Sequence, residues 1–395
     1  MPLRSPAARA MILFALVLFA APSRASDFVD AAGRRVLLPA HVERVMAAGP
    51  AAAVLLYALA PAKLVGWTRP LSPGERAYLP IKYANLPVSG RLTGPHPTAS
   101  AATVARLRPD LVIDWGRVSP DAVATAVATQ QATGIPYILL DGTIENTPAL
   151  LREVGAMLGV DDRAHKLSKA AEEAIDSLRG RLLIQPPEKR PRVYYGRGED
   201  GLETGRLGSL ASEDIEEAGA VNVAAPLGVG GTMRVTAAQL IAWDPEVIIA
   251  ERASFYEALK SDPQWRRLSA VRDGRIYLAP AVPFGWIDNP EGINRVVGLD
   301  WLTTLFYPSV FQQSLRTEAA DFYERFYDVK LNDKQLAQLL RRAAPPRGKA
   351  EQGPTLGLLG PVRGPDLTNL PTAAPSRVNR PPGRGGPAVG TPPRY

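Results

Sequence analysis

"DDRAHKLSKAAEEAIDSLRGRLL", residues 161 to 183, is the stretch that decides how this chain folds. No proline interrupts it, its first glycine is Gly180, and Asp161 is placed to cap its start. Ala164, Leu167, Ala171, Ala174, Ile175 and Leu178 recur at helical spacing. A helix over these residues would run roughly 34 Å at 1.5 Å per residue. On either side of it the same pattern is written twice. Before it come "VERVMAAG", "AKLVGWT", "ATVARLRPDLVIDWG" and "TGIPYILLD"; after it come "PRVYYGRG", "IEEAGAVNVA", "TAAQLIAWDPEVIIAER" and "VRDGRIYLAP". Each is a short apolar run joined to helix-like residues, which predicts two α/β lobes with mostly parallel sheets. Lobes joined by flexible crossovers can close widely, whereas one long rigid helix between them permits only slight rocking.

The ends read differently. Arg4 and Arg9 precede the apolar run Met11 to Ala21, and Ser23-Arg24-Ala25 forms a small-x-small site, so residues 1–25 are expected to be a signal peptide cleaved before Ser26. No other run approaches the ~20 apolar residues of a membrane helix. The expected location is therefore the periplasm, in soluble form. The chain has no cysteine, which excludes a lipoprotein anchor, disulfides and thiol catalysis. The net charge of +7 dissolves on division: residues 1–25 carry +3, residues 345–395 carry +5, and the body between them carries −1. Basicity thus gives the body no reason to bind nucleic acid. The tail holds 12 of the 38 prolines and little apolar content, so 345–395 is expected to be a disordered Pro/Gly/Arg-rich extension. Between the ends, the expected divisions are an N-terminal lobe at 26–146, a helical region with the linker at 147–186, a C-terminal lobe at 187–310 and C-terminal helices at 311–344.

Five stretches carry a family resemblance, in order along about 300 residues: "DAAGRRVLLPAHVERVMAAGP", "LRPDLVI" at 107–113, "AQLIAWDPEVII" at 238–249, "DPQWRRLSAVRDGRIYLAP" at 262–280 and "FYERFYDVKLNDKQLAQLL" at 322–340. The chain resembles the helix-linked periplasmic substrate-binding proteins of ABC importers, the class serving ferric siderophores, haem, vitamin B12 and other metal chelates. The resemblance implies a ligand cleft between the lobes, a permease and ATPase complex in the inner membrane as partner, a small-molecule metal chelate as ligand, no cofactor, and a monomer. Many family members dock through a glutamate on each lobe; here those positions are Ala102 and Ala238. Either Glu213, Glu216 and Glu217 substitute, or the two-salt-bridge scheme does not apply.

Open α/β sheets bind ligands at the carboxyl ends of their strands. The loops there give the candidate ligand-binding residues. In the first lobe these are Trp67, Arg69, Arg91, His96, Trp115 and Arg117; in the second, Tyr194, Tyr195, Arg197, Glu203, Arg234, Arg252, Phe284, Trp286 and Arg295. Aromatic faces with guanidinium forks suit a planar or carboxylated anionic chelate. Against this stand the plain readings of core-capping aromatics and ion-paired or solvated arginines. In "PFGWIDNP", 283–290, Phe284 is expected to pack inward towards "WLTTLFYP" and Trp286 to face the ligand, with Asp288 bonding the following helix start. His41, His96 and His165 are the only histidines, and just one is near a pocket position, so a bare metal site is not expected. His96 could add a ligand to an unsaturated chelate. A cleft enzyme using Glu203, Glu251 and Asp288 as paired acids, or a ligand sensor, are the alternatives.

Overall fold

The computed structural model describes residues 26–344, other than 95, 184 and 309–313. The expected signal peptide and tail lie outside these residues. Each lobe is built on a parallel sheet. In the first, β3 (Val45–Ala47), β4 (Leu111–Gly116) and β5 (Tyr137–Asp141) lie in the order β3-β4-β5. They are preceded by an antiparallel hairpin of β1 (Ser26–Val29) and β2 (Arg35–Leu38), which the strand-helix alternation did not anticipate. In the second, the order is β11-β10-β6-β8, from β6 (Arg192–Gly196), β8 (Val221–Asn222), β10 (Val247–Ala250) and β11 (Ile276–Leu278). A flap of antiparallel β7 (Glu203–Gly205) and β9 (Thr232–Arg234) hangs beside it. "AKLVGWT" makes only isolated bridges, from Leu64 to Val45 and from Trp67 to Val88.

The duplicated phrases "RPDLVI" and "DPEVII" fold alike because each carries the same local chemistry. A helix ends on a left-handed residue, Arg108 or Asp244, and the proline that follows prevents continuation. An acid one residue later then ties the sheet. Asp110 accepts from the Arg44 amide at 2.8 Å and donates its own amide to Arg44 O; Glu246 does the same with Arg192 at 3.0 Å and 2.8 Å. The apolar strand that follows is buried on both faces, as parallel sheets require.

The linker is a helix over Asp161–Leu182, 22 residues and so roughly 33 Å. Val160, not Asp161, is its cap, and Asp161 and Asp162 fill the first turn, where their charge complements the helix dipole. Its apolar stripe is buried in one continuous core that also contains Val54 of the first lobe, Ile249 of the second, and Val297 on the helix Arg295–Phe306. The lobes therefore share packing at their base as well as a covalent link. Two C-terminal helices, Leu315–Tyr327 and Asp333–Leu340, close that base; Tyr57 of the first lobe donates to Tyr327 O at 2.7 Å. Among the described residues, no helix is long and apolar enough to cross a membrane.

Candidate ligand cleft

A cavity of about 1110 Å³ lies between the carboxyl ends of the two sheets. Its first-lobe wall begins at Gly49 and Pro50, the start of the helix Pro50–Leu59, and continues through the ends of β4 and β5. Of the candidate residues, the structure brings Arg69, Arg91, Trp115, Arg117, Tyr195, Arg197, Glu203 and Arg252 to this cavity.

Most of the arginines arrive already engaged. The short helix Pro73–Arg76 opens with a capping box in which Glu75 Oε2 accepts from Ser72 N at 2.6 Å, and the same carboxylate pairs with Arg69. Burial opposes the Glu75 charge, but Arg69 and Ser72 outweigh it and hold the carboxyl below its ordinary value. Arg91 donates from Nε to His96 O at 3.2 Å. Arg252 pairs with Glu251 at 3.1 Å. Arg197 forks between Glu203 and Asp288, reaching Asp288 Oδ2 at 2.5 Å, while Tyr195 donates its hydroxyl to Asp288 Oδ1 at 2.5 Å. Asp288 is thus a ligand of Arg197 and Tyr195 and not a cap for the following helix.

Arg117 differs. It is exposed, lines the cavity, and makes no hydrogen bond or ion pair among the described residues. Its Nη2 lies 3.9 Å from where a Cβ on Gly208 of the second lobe would stand, so it spans the mouth.

Three carboxyl groups on the wall, Asp114, Asp121 and Glu291, make no ion pair among the described residues. Asp114, at the end of β4, is buried, and its oxygens accept from Thr93 Oγ1 at 3.2 Å and Tyr137 OH at 3.4 Å. Burial pushes its carboxyl up against these hydrogen bonds. Glu291 is pushed up by burial and then by neighbouring Asp288. Glu251 is raised for the same two reasons, although Gly198 N donates to it at 2.8 Å. Glu291 and Thr93 escaped the sequence reading; the only signal was their position in loops after strands.

The remaining candidates lie elsewhere. Trp286 is 1% exposed and sits in the core, its ring edge-on to Trp301 at 6.1 Å and its Nε1 3.4 Å from Tyr323 OH. Phe284 is buried as expected, its ring against Trp67, Tyr57 and Tyr327 in the core that also holds Trp301, Leu302 and Phe306. The inward packing expected of Phe284 is found, and ligand contact by either aromatic is corrected: the loop turns back to the shared base, and Gly285, Ile287, Asp288 and Asn289 line the cavity. Trp67 belongs to the same aromatic cluster and donates Nε1 to Tyr83 O at 2.8 Å. Tyr194 points to the opposite face of β6 and donates to Gly201 O at 2.7 Å, since successive strand residues alternate. Arg234 is exposed on the flap, paired with Asp200. Arg295 is 1% exposed and bonded within the protein. His96 is exposed off the cavity wall, contributing its carbonyl alone. Of the substitute docking acids, Glu213 pairs with Arg295 and Glu217 with Arg179, and Glu213, Glu216 and Glu217 are all half-buried. Among the described residues, no group of three or more His, Asp and Glu is placed to hold a metal ion.

The sequence profile of the periplasmic binding protein family matches residues 48–283. The chain belongs to that family. Among solved structures, this binding protein is similar to an ABC transporter solute binding protein from Sulfurospirillum deleyianum, at 26% identity and a TM-score of 0.74, over 80% of this chain and 99% of that one. It also shares its fold with the molybdate-binding protein MolA of Haemophilus influenzae, seen with molybdate bound, at 20% identity and a TM-score of 0.64 over 78% and 99% of the chains. CeuE of Helicobacter pylori, with Ni(II) bound, shares it at 16% and 0.63 over 79% and 99%. No curated protein matches the sequence.

Proposed function

We propose that this periplasmic binding protein is the solute-binding component of an ABC importer, exported to the periplasm, and that it captures an anionic metal chelate and hands it to a permease and ATPase complex. One observation carries the ligand reading: Arg117, a guanidinium with no protein partner among the described residues, standing at the mouth of an inter-lobe cavity. A guanidinium fork left open suits a carboxylate, hydroxamate or oxyanion edge. The chain's three histidines, none of them on the cavity wall, suit a metal that arrives already coordinated. Similarity to an ABC transporter solute binding protein over nearly its whole length supports the importer assignment.

Capture would be followed by slight rocking of the lobes, docking on the permease, and release as the lobes are drawn apart. The enzyme alternative is weakened because Glu203, Glu251 and Asp288 are each tied to an arginine or an amide, leaving none as an open acid-base pair. Calorimetric titration with ferric, nickel and cobalt chelates and with molybdate tests the proposal. Saturable binding without turnover, weakened in Arg117→Ala, is the expected outcome; a silent titration across the panel sinks the ligand class. Uptake into vesicles carrying the permease separates an importer from a sensor.

A further inference from the structure

One heavily bonded buried charge, Arg295, lies outside the cavity wall. Arg295 donates from Nε to Asp214 Oδ1 at 2.7 Å, from Nη2 to Leu210 O at 3.2 Å, and pairs with Glu213 Oε2 at 2.6 Å. All three partners are on the helix Leu210–Glu217 of the second lobe. Its remaining nitrogen, Nη1, crosses to the first lobe and donates to Gly142 O at 2.9 Å, just beyond β5. Glu213 makes a second crossing, accepting from Ile144 N at 2.9 Å through Oε1.

Both sides of this crossing lead to the gap that Arg117 spans. In the first lobe, Gly142 N donates to Gly116 O at 3.0 Å, and a Cβ on Gly142 would stand 2.8 Å from Gly116 Cα. That close backbone contact fixes the residue preceding Arg117 to the stapled loop. In the second lobe, the helix that holds Asp214 and Glu213 starts two residues after Gly208, which faces Arg117.

We infer that Arg295 and Glu213 form an inter-lobe staple, positioning residues that set the resting width of the cleft at Arg117. The linker helix limits how far the lobes can rock; the staple selects where within that range they rest. A buried charge network suits this task, because moving the lobes apart would leave Arg295 Nη1, Glu213 Oε1, Gly142 O and Ile144 N without their partners, so one arrangement is strongly preferred. The inference is independent of which ligand binds.

The test uses the absence of native cysteine. Ala105→Cys and Ala242→Cys, at exposed positions on the helices Ala101–Leu107 and Ala237–Trp243, place one spin label on each lobe. Pulsed dipolar spectroscopy of the ligand-free protein then reads the inter-lobe distance distribution. Arg295→Met should broaden that distribution and shift it to longer distances, and Arg295→Lys, retaining charge but losing the fork, should fall between. Should Arg295→Met fail to fold, Glu213→Ala decides the matter, since it removes one crossing and leaves the Arg295–Asp214 pair intact. A folded Glu213→Ala or Arg295→Lys protein that melts earlier yet keeps the parent distribution would overturn the staple, leaving a stability role alone. Failure of the chelate titrations leaves this readout unaffected.

Discussion

Replacing Trp286 with alanine separates a core residue from a ligand contact. Its side chain is 1% exposed, wedged against Trp301 and Tyr323. Fully burying a tryptophan removes about 150–250 Å² from water, worth about 4–6 kcal/mol at ~25 cal/mol per Å². That figure is an upper bound because an unfolded chain already hides part of its surface. Core truncations of this kind cost about 3–5 kcal/mol. Against a typical total of about 5–15 kcal/mol, Trp286→Ala should bring the protein close to its unfolding threshold. Urea denaturation followed by far-ultraviolet circular dichroism should show a midpoint shifted by this amount with an unchanged slope. At low temperature, with the folded fraction measured in the same sample, affinity per folded molecule should be near that of the parent. A variant that unfolds with the parent's midpoint and yet loses binding would refute the core placement.

Three further outcomes follow from named contacts. Arg117→Ala should weaken binding of an anionic chelate about tenfold to a hundredfold, the range of one to two charge-assisted hydrogen bonds, while leaving the melting temperature in place; calorimetry beside a thermal melt checks both halves. Asp114 has its folded value raised above 3.8, so the stability it contributes is complete below that value and is lost as pH rises through the folded value. Affinity for an anion shares the sign, weakening as Asp114 ionises; in Asp114→Asn the pH titration should flatten, and an unaltered slope would remove Asp114 from the binding reaction. Gly298→Ala would ordinarily gain helix propensity of up to about 1 kcal/mol. Here its Cβ would stand 1.9 Å from Trp286 O, so the overlap wins and the melting temperature should fall, measured by calorimetry.

What could be read from the sequence was whatever period and local chemistry encode. The linker helix was legible to within one residue at each end, because its apolar spacing and its freedom from proline are properties of the segment itself. "RPD" and "DPE" were legible for the same reason. The core placement of Trp286 was not, and the inward packing of Phe284 was legible only in direction. Their loop does follow a strand at its carboxyl end, but its direction depends on Tyr57, Trp67, Trp301 and Tyr327, which no local pattern links to residues 283–290. The hairpin of β1 and β2 was missed because its short strands stand outside the repeating strand-helix pattern. Tyr194 and Tyr195 were both chosen, although strand alternation alone obliges one of two neighbours to face away from the cavity.

The arginines show why counting charges misleads at such a site. The sequence places several guanidinium groups in cleft loops, which suggests a strongly cationic mouth. In the structure, five arginines share the cavity wall with seven carboxyl groups, and Arg69, Arg197 and Arg252 are each matched by an acid. A paired guanidinium contributes little field at a distance, and exposed charges beyond about 8–10 Å are screened at physiological salt. The cleft therefore cannot draw in an anion by its overall field. Selection must instead occur at contact, where an open fork such as Arg117 meets the right edge at the right width. That requirement makes the spacing of the lobes part of the recognition, and it gives the buried bonds beneath Arg117 a role that burial of apolar surface alone would not supply.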